Sequence, residues 1–417
     1  MNNIYSHHET YYPRWITPLL QEAARDHAVT ILTGARQVGK STLLLNAEPF
    51  CRWRFHSLDD FDALRQSQKE PEALWAGTRR VVIDEVQKAP GLLTAVKQAV
   101  DRHPGKYRFS LSGSANLMLM KQITESLAGR AVYFVLDPMT RGETGRKSPP
   151  SLLKDAMDGK MPAEGRISDT LPDPASLVFR GLMPGLLTLQ TPESRLRWWD
   201  GYVATYLERD LRQLSQIDAL VDFRRMMGLA ALRCGQLLNQ SEIARDAGLS
   251  QATAHRYLNV LEASHMFERL SAYTASRTAR LVKSPKAFWN DTGLAVFLSG
   301  YYSEQDLRKC REYGAFFETL IFHHLRVLTR LMAPPARLYY WRTRSGVECD
   351  FVIEHGRRVL AVEAKMTRHP KFADAAALHH FLQMHPDASG GLLLHCGEQI
   401  LRLGKNIAAI PWTMVSG

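Results

Sequence analysis

Cysteine is scarce in this chain and badly spaced for any covalent or metal framework. Cys51, Cys234, Cys310, Cys349 and Cys396 form no CxxC pair and no Cys/His cluster. That argues against a disulfide scaffold and against structural zinc, and it suits a reducing compartment. The adjacent pairs His323-His324, His379-His380 and His395-Cys396 also sit at no ligand spacing and read as packing or surface residues. No apolar run approaches the ~18 residues needed to cross a bilayer. The start, MNNIYSHHETYYPRW, lacks the basic-then-apolar layout of a secretory signal. A cytoplasmic protein with no membrane partner is therefore expected. Internal repeats and low-complexity tracts are missing too. Acid is in deficit: 42 Asp and Glu face 53 Lys and Arg, a formal charge of +11. Such a balance favours polyanionic partners and says nothing about fold.

What is present points to more than one domain, since 417 residues exceed one ordinary core. Residues 14–26 carry Ile16, Leu19, Leu20 and Ala23 at helical spacing. Short β-type runs then recur at Val29–Leu32, Trp53–Leu58, Val81–Ile83, Tyr107–Leu111 and Ala131–Leu136, with helix-length stretches between them. This alternation predicts a parallel sheet covered by helices. From Arg141 to Pro174 the chain holds five prolines and four glycines with little periodicity, which predicts a loop or linker. After it Trp199, Tyr202, Val203 and Tyr206 mark one face of a helix running on through YLERDL, and beyond Gly300 a helix at Phe316–Leu328 leads into two strands.

Gly34-Ala35-Arg36-Gln37-Val38-Gly39-Lys40-Ser41 fits GxxxxGK(S/T), directly after the apolar run AVTILT and before the helical STLLLNA. That flanking is what the motif requires. Glycines let the backbone curl so that its N–H groups point inward at phosphate oxygens, and the following helix adds its positive end. Residues Gly34 to Thr42 are the expected nucleotide cradle, with Lys40 reaching the β- and γ-phosphates of ATP and Ser41 on Mg²⁺. The run RRVVIDE ends in Asp84 and Glu85 at what a parallel sheet would make the nucleotide edge. Asp84 is the expected Mg²⁺ holder and Glu85 the residue that orients or deprotonates the attacking water. In the turn Ser112-Gly-Ser-Ala-Asn116, Ser114 and Asn116 are candidates for the γ-phosphate or that water. Arg130 opens the last run, and a cation there is expected to sense the γ-phosphate in its own chain or in a neighbouring subunit.

PRW near the start, GARQVGKST, VVIDEVQKAP, LSGSAN and YLERDL together resemble a large prokaryotic family. Its members join an AAA-like ATPase domain to a C-terminal domain of unknown function 4143. The resemblance spans nearly the whole chain. It implies ATP binding, a winged-helix-like middle and a restriction-endonuclease-like C-terminal core. The expected fold class is α/β: a P-loop NTPase parallel sheet with helices on both faces, a helical and winged-helix-like region, then a C-terminal α/β domain. The expected division is 1–140 for the ATPase, 141–176 for the linker, 177–300 for the middle and 301–417 for the C-terminal domain.

Residues 236–263 read as helix–turn–helix. Ser241 is the expected cap of a short helix, Gly248 allows the turn, and Ser250 caps a second helix with Leu258 and Leu261 inward. Gln251, Thr253, His255 and Arg256 would lie outward, where base edges are read. From 231 to 290 eight Lys or Arg face four acids, and Arg277, Arg280, Lys283 and Lys286 crowd the end of that span, as a phosphate-contacting wing would. Packing against protein is the alternative use of such a fold.

A second candidate site lies in Glu348-Cys-Asp350-Phe-Val-Ile-Glu354 and Arg357-Arg-Val-Leu-Ala-Val-Glu363-Ala-Lys365. A two-residue turn at His355-Gly356 would place Asp350 opposite Ala361, with Glu363 its diagonal neighbour at roughly 7–8 Å. Lys365 shares that face, and Glu318 on the helix before could add a carboxylate. Asp350, Glu363-x-Lys365 and Glu318 match the D…ExK pattern of restriction-endonuclease-like enzymes, which holds a divalent metal for phosphodiester cleavage. A half-buried hairpin with one solvated charged face gives the same alternation. Three functions stay open: a Mg²⁺-dependent AAA ATPase coupled to a DNA- or protein-binding half, an ATP-regulated DNA nuclease, and a non-hydrolysing ATP-bound switch on nucleic acid. ATP, DNA and a second copy of the chain are the partners to consider.

Overall fold

Each of the five short apolar runs becomes a strand of one sheet. In the computed structural model β1 (Val29–Thr33), β2 (Arg54–Ser57), β3 (Arg80–Asp84), β4 (Arg108–Ser112) and β5 (Ala131–Val135) lie in the order β2-β3-β4-β1-β5. All neighbours run parallel. The structure describes residues 11–114, 127–167, 171–205, 219–274 and 283–417. Two compact units divide the chain, one reaching to Met139 and including Glu143–Ser148, the other made of Thr140–Gly142 and Pro149–Gly417.

In the first unit helices Thr17–Asp26, Lys40–Asn46, Phe61–Lys69 and Leu92–Arg102 connect or flank the strands. Val29, Ile31, Val81, Ile83, Phe109 and Leu111 are buried against Leu92, Leu93 and Val96. Burial on both faces is what strands this uniformly apolar need. Because every strand points the same way, the loops after β1, β3 and β4 meet at one edge.

From Pro174 on, the second unit runs through helices Pro174–Arg180, Pro192–Tyr202, Leu220–Leu232, Gln240–Ala247 and Gln251–Ala263, and then an antiparallel pair, β7 (Phe267–Leu270) with β8 (Lys286–Trp289). Trp199, Tyr202 and Val203 are buried as the periodicity predicts, while Tyr206 and the rest of YLERDL lie outside the described residues. Its large sheet contains β6 (Gly165–Arg166), β9 (Arg337–Arg342), β10 (Glu348–His355), β11 (Arg358–Lys365), β12 (Gly390–His395), β13 (Gln399–Gly404) and β14 (Ile407–Pro411). Their order is β6-β13-β14-β12-β11-β10-β9, with β11, β12 and β14 parallel and the flanks antiparallel. Helices Tyr313–Arg330 and Ala376–Met384 pack on it.

The stretch expected as a linker is not structureless. Helices Arg141–Thr144 and Leu152–Met157 and strand β6 fall within it, and Leu152, Leu153, Ala156 and Met157 are buried. Proline and glycine bound these elements instead of dissolving them. Among the described residues no helix is long and apolar enough to cross a membrane.

Candidate functional site

The phosphate loop joins β1 to helix Lys40–Asn46. Gly39 takes a left-handed φ of 96° and Gln37 one of 61°. A side chain on Gly34 would bring its Cβ to 2.3 Å from the Leu136 carbonyl oxygen, so only glycine fits. Alternation of this kind turns successive N–H groups toward one concavity. Ala35 and Val38 are buried, whereas Arg36, Gln37 and Thr42 are exposed. The Lys40 ammonium is buried and donates to the carbonyls of Gly34 at 3.1 Å and Ala35 at 2.9 Å. Burial pulls its pKa down to about 8, although the Glu85 and Asp84 carboxylates act in the opposite direction. A buried cation served by loop carbonyls alone has the donor chemistry a triphosphate requires.

Ser41, one residue on, meets β3. Its hydroxyl donates to Asp84 Oδ2 at 2.5 Å, and the Ser112 hydroxyl, at the end of β4, donates to Asp84 Oδ1. The sheet order explains this: β3 and β4 are neighbours, and both end beside the loop that follows β1. A hydroxyl beside a buried carboxylate, next to a buried ammonium, fits Mg²⁺ carried on a triphosphate. Glu85 holds a left-handed φ of 57°, which turns its side chain away from the strand direction. Desolvation pushes its carboxyl pKa up, helped by Asp84 and opposed by Lys40. The Gln87 amide touches the Glu85 carboxylate and donates to Ser114 Oγ at 3.0 Å. Ser114 thus reaches the site, while Asn116 lies outside the described residues.

Two contributors had no role assigned from sequence. Gln87 is one. The other is Arg14 of the PRW motif, buried, with Nη1 donating to the Val38 carbonyl in the phosphate loop at 3.0 Å. Its Nη2 donates to the Asp137 carbonyl at 2.6 Å and its Nε to Glu143 at 3.2 Å. Glu143 also accepts from the Trp15 amide at 2.7 Å. The guanidinium therefore fastens the loop to the segment after β5. Its signal in the sequence was an arginine among aromatic residues, which has no period.

For Arg130 the own-chain expectation is corrected. The register pairs Val29 with Ala131, so Arg130 sits beside the start of β1, at the edge opposite the phosphate loop. Five strand residues at ~3.3 Å each separate the two edges, so a γ-phosphate contact within the chain is excluded. There it forms a two-pronged pair with Asp101.

In the second unit the structure moves the β10–β11 register by two residues from the expected one. His355 pairs with Arg358 and Val352 with Ala361, so the turn is Gly356-Arg357 and Asp350 comes beside Glu363. The Asp350 amide donates to Glu363 Oε2 at 3.3 Å, and the Ala364 amide to Asp350 Oδ2 at 2.9 Å. A left-handed Gly356, with φ 65°, supplies the turn. The charged face is not solvated either: the Glu363 side chain is 4% exposed and that of Asp350 14%. Lys365 does pair with Glu363 at 2.7 Å, and Glu318 does come alongside. Between the carboxylates lies a group not expected there. The Lys286 ammonium is 2.8 Å from Glu318, 2.5 Å from Glu348 and 3.6 Å from Asp350. Burial would lower its pKa, yet the carboxylates outweigh burial and hold it above the ordinary lysine range. Desolvation raises both Glu318 and Glu363, and Asp350 adds to each. Among the described residues no group of three or more His, Cys, Asp or Glu is arranged to hold a metal.

Comparison with known proteins follows this anatomy. Residues 26–145 match the model of an AAA domain, 172–305 that of domain of unknown function 8612, and 313–415 that of domain of unknown function 4143. Uncharacterized proteins of Mycobacterium tuberculosis and Mycobacterium bovis are each 32% identical over 398 residues, covering 94% of this chain and 82% of theirs. The chain belongs to this AAA-domain family. Among solved structures it is similar to a STAND-type signal transduction ATPase with a tetratricopeptide repeat sensor from Pyrococcus horikoshii. That likeness is at 11% identity and TM-score 0.22, over 75% of this chain and 46% of that chain.

Within the 172–305 region of this AAA-domain protein, helices Gln240–Ala247 and Gln251–Ala263 are joined by Gly248 at φ 70°. The first is capped by Asn239, which accepts from the Glu242 amide at 3.2 Å, and not by Ser241. Ser250 caps the second, accepting from Thr253 at 3.1 Å. Gln251, His255 and Arg256 are exposed, and Leu258 and Leu261 buried. Lys283 is described and exposed, and Lys286 is the buried centre above. Arg277 and Arg280 lie outside the described residues.

Proposed function

We propose that this protein is a Mg²⁺-dependent ATPase whose nucleotide state is coupled to a DNA- or protein-binding C-terminal half. The observation that carries it is the Ser41–Asp84 hydrogen bond beside the buried Lys40 ammonium. Backbone amides of Gly34 to Lys40 bind the phosphates, Lys40 reaches the β- and γ-oxygens, and Ser41 and Asp84 hold the metal. A Mg²⁺ ion held by Ser41 and Asp84 would supply positive charge against the charge that develops on those oxygens. Glu85, steadied by Gln87, orients the attacking water and accepts its proton. Its presence favours turnover over a non-hydrolysing switch. The capped helix pair with exposed Gln251, His255 and Arg256 is the element offered to DNA. A metal nuclease is not favoured, because the Lys286 ammonium already occupies the space between Glu318, Glu348 and Asp350 where a cation would sit.

The test is ATP hydrolysis, with and without duplex DNA, on three proteins. Lys40→Ala abolishes turnover. Glu85→Gln keeps ATP binding and slows hydrolysis by about 100-fold or more, the usual scale for a general base. Wild-type rates in both variants would remove the assignment.

A further inference from the structure

The edge of the ATPase sheet opposite the phosphate loop carries a second feature of the same unit. Three adjacent parallel strands each begin with arginine: Arg54 on β2, Arg80 on β3 and Arg108 on β4. The register sets Arg80 directly against Arg108, whereas Arg54 stands against Val81, one residue out of step and so on the other face of the sheet. Neighbouring strands lie ~4.8 Å apart, which sets the spacing of Arg80 and Arg108. Arg79 and Lys106 flank them in sequence. An open cavity of about 510 Å³ lies there, lined by Arg25, Arg79, Arg80, Lys106, Arg108 and Trp53 among others, with no acidic residue in its wall. Arg25 is neutralised by Asp26. Arg79, Arg80, Lys106 and Arg108 form no ion pair among the described residues. Arg108 instead donates to the Tyr107 carbonyl at 3.1 Å, and the Lys106 ammonium lies 5.0 Å from the centre of the Tyr107 ring.

A second observation points to a ligand. Trp53 is 7% exposed, and its indole N–H is buried without a hydrogen-bond partner. An indole nitrogen is donor only, so the group that would complete it is an acceptor.

We propose that this edge is a docking site for the phosphate backbone of nucleic acid, separate from the ATP site. Four uncompensated cations on one edge create a local positive potential far denser than the chain's mean charge. Three of the four are guanidiniums, whose forked donors match phosphate oxygens in pairs. Four cations spread over the starts of two neighbouring strands match several phosphates of an extended polyanion, whereas a compact anion would engage one or two of them. The site lies at the far edge of the sheet from Lys40, so binding here leaves the nucleotide pocket open.

The experiment is fluorescence anisotropy of a labelled DNA duplex with the full-length chain from 50 to 200 mM salt, as in general practice for counterion release. The triple variant Arg79→Gln/Lys106→Gln/Arg108→Gln is compared with Arg52→Gln/Arg65→Gln/Lys69→Gln, which removes equal charge elsewhere on the unit. Each lost phosphate contact reduces the slope of log affinity against log salt by about 0.9, so the first triple lowers it by about 2.7 and the second leaves it unchanged. ATP binding persists in both, which shows that the unit is folded. Trp53→Phe, which keeps the ring and removes the donor, weakens binding several-fold. Equal slopes for the two triples would overturn the proposal, since charge alone would then account for binding. Displacement of DNA by polyglutamate of matched charge as readily as by a polyphosphate would overturn the phosphate assignment.

Discussion

The Lys286 ammonium lies 2.8 Å from the Glu318 carboxylate, with Glu348 and Asp350 on its other sides. A lysine from the β7–β8 pair thus fills the ground between carboxylates that otherwise match a metal-dependent nuclease pattern. Removing one partner of a buried ion pair leaves uncompensated charge and costs about 3–5 kcal/mol. Lys286→Met therefore lowers the unfolding midpoint by several degrees, and adding Glu318→Gln recovers part of it. Differential scanning calorimetry of the three proteins checks this. The wild-type protein is expected to show no Mn²⁺-dependent nicking of plasmid DNA, and Asp350→Ala to change nothing in that assay.

ATP affinity should depend on pH through Lys40. In the free protein its pKa is about 8, lowered by burial, and phosphate binding raises it. Below pH 8 the ammonium is charged both free and bound, so affinity is flat. Above it, binding must take up a proton, and affinity falls by up to about tenfold per pH unit. Isothermal titration in two buffers of different ionisation enthalpy should show proton uptake at pH 9 and none at pH 7. Uptake of equal size at both would contradict the buried-lysine account.

Arg14 is a positioning residue for the phosphate loop through the Val38 carbonyl. Its pair with Glu143 is buried, the two side chains being 5% and 2% exposed. Arg14→Ala destabilises the ATPase unit by about 3 kcal/mol and weakens nucleotide binding. Arg14→Lys restores the charge and regains some stability, but lacks the fork that joins Val38 to Asp137. Denaturant melts combined with nucleotide titrations separate the two effects.

His324 makes stability depend on acid. Its Nε2 accepts from the Arg141 amide at 3.1 Å, so its Nδ1 carries the proton toward the Leu320 carbonyl at 2.8 Å. That neutral tautomer is fully used, and burial holds the pKa near 4. Between this value and the unfolded value of about 6.5, the unfolded chain binds the extra proton, so stability falls as pH drops through that window. The slope is about 1.4 kcal/mol per pH unit and is missing in His324→Gln. Urea midpoints from pH 7 to pH 4.5 measure it.

Asn239 caps the helix Gln240–Ala247, so Asn239→Ala costs about 1 kcal/mol while Ser241→Ala costs a few tenths at most. Thermal melts of the two variants decide between the caps.

Local chemistry was legible where it is written in consecutive residues. The phosphate loop, the Asp84-Glu85 strand end and all five strands of the first sheet follow from apolar runs, glycines and helix-length spacers. The helix pair around Gly248 was legible for the same reason, though its cap was placed two residues late because Asn239 and Ser241 are both competent. The 141–176 stretch was misread because short buried elements hide between prolines. The own-chain role expected of Arg130 failed because a strand's first residue gives no direction until its neighbours are known.

By itself the sequence determined which backbone would curl around phosphate, since only glycine tolerates the left-handed turn at Gly39 and the close approach at Gly34. Tertiary structure alone decided which distant side chains stand together. Strand order put Ser112 and Ser41 on Asp84, the end of β5 brought Asp137 to Arg14, and the β7–β8 pair carried Lys286 among the carboxylates. Contacts between residues tens to hundreds of positions apart have no period in the chain. They exist because burying both faces of a sheet brings strands far apart in the chain side by side.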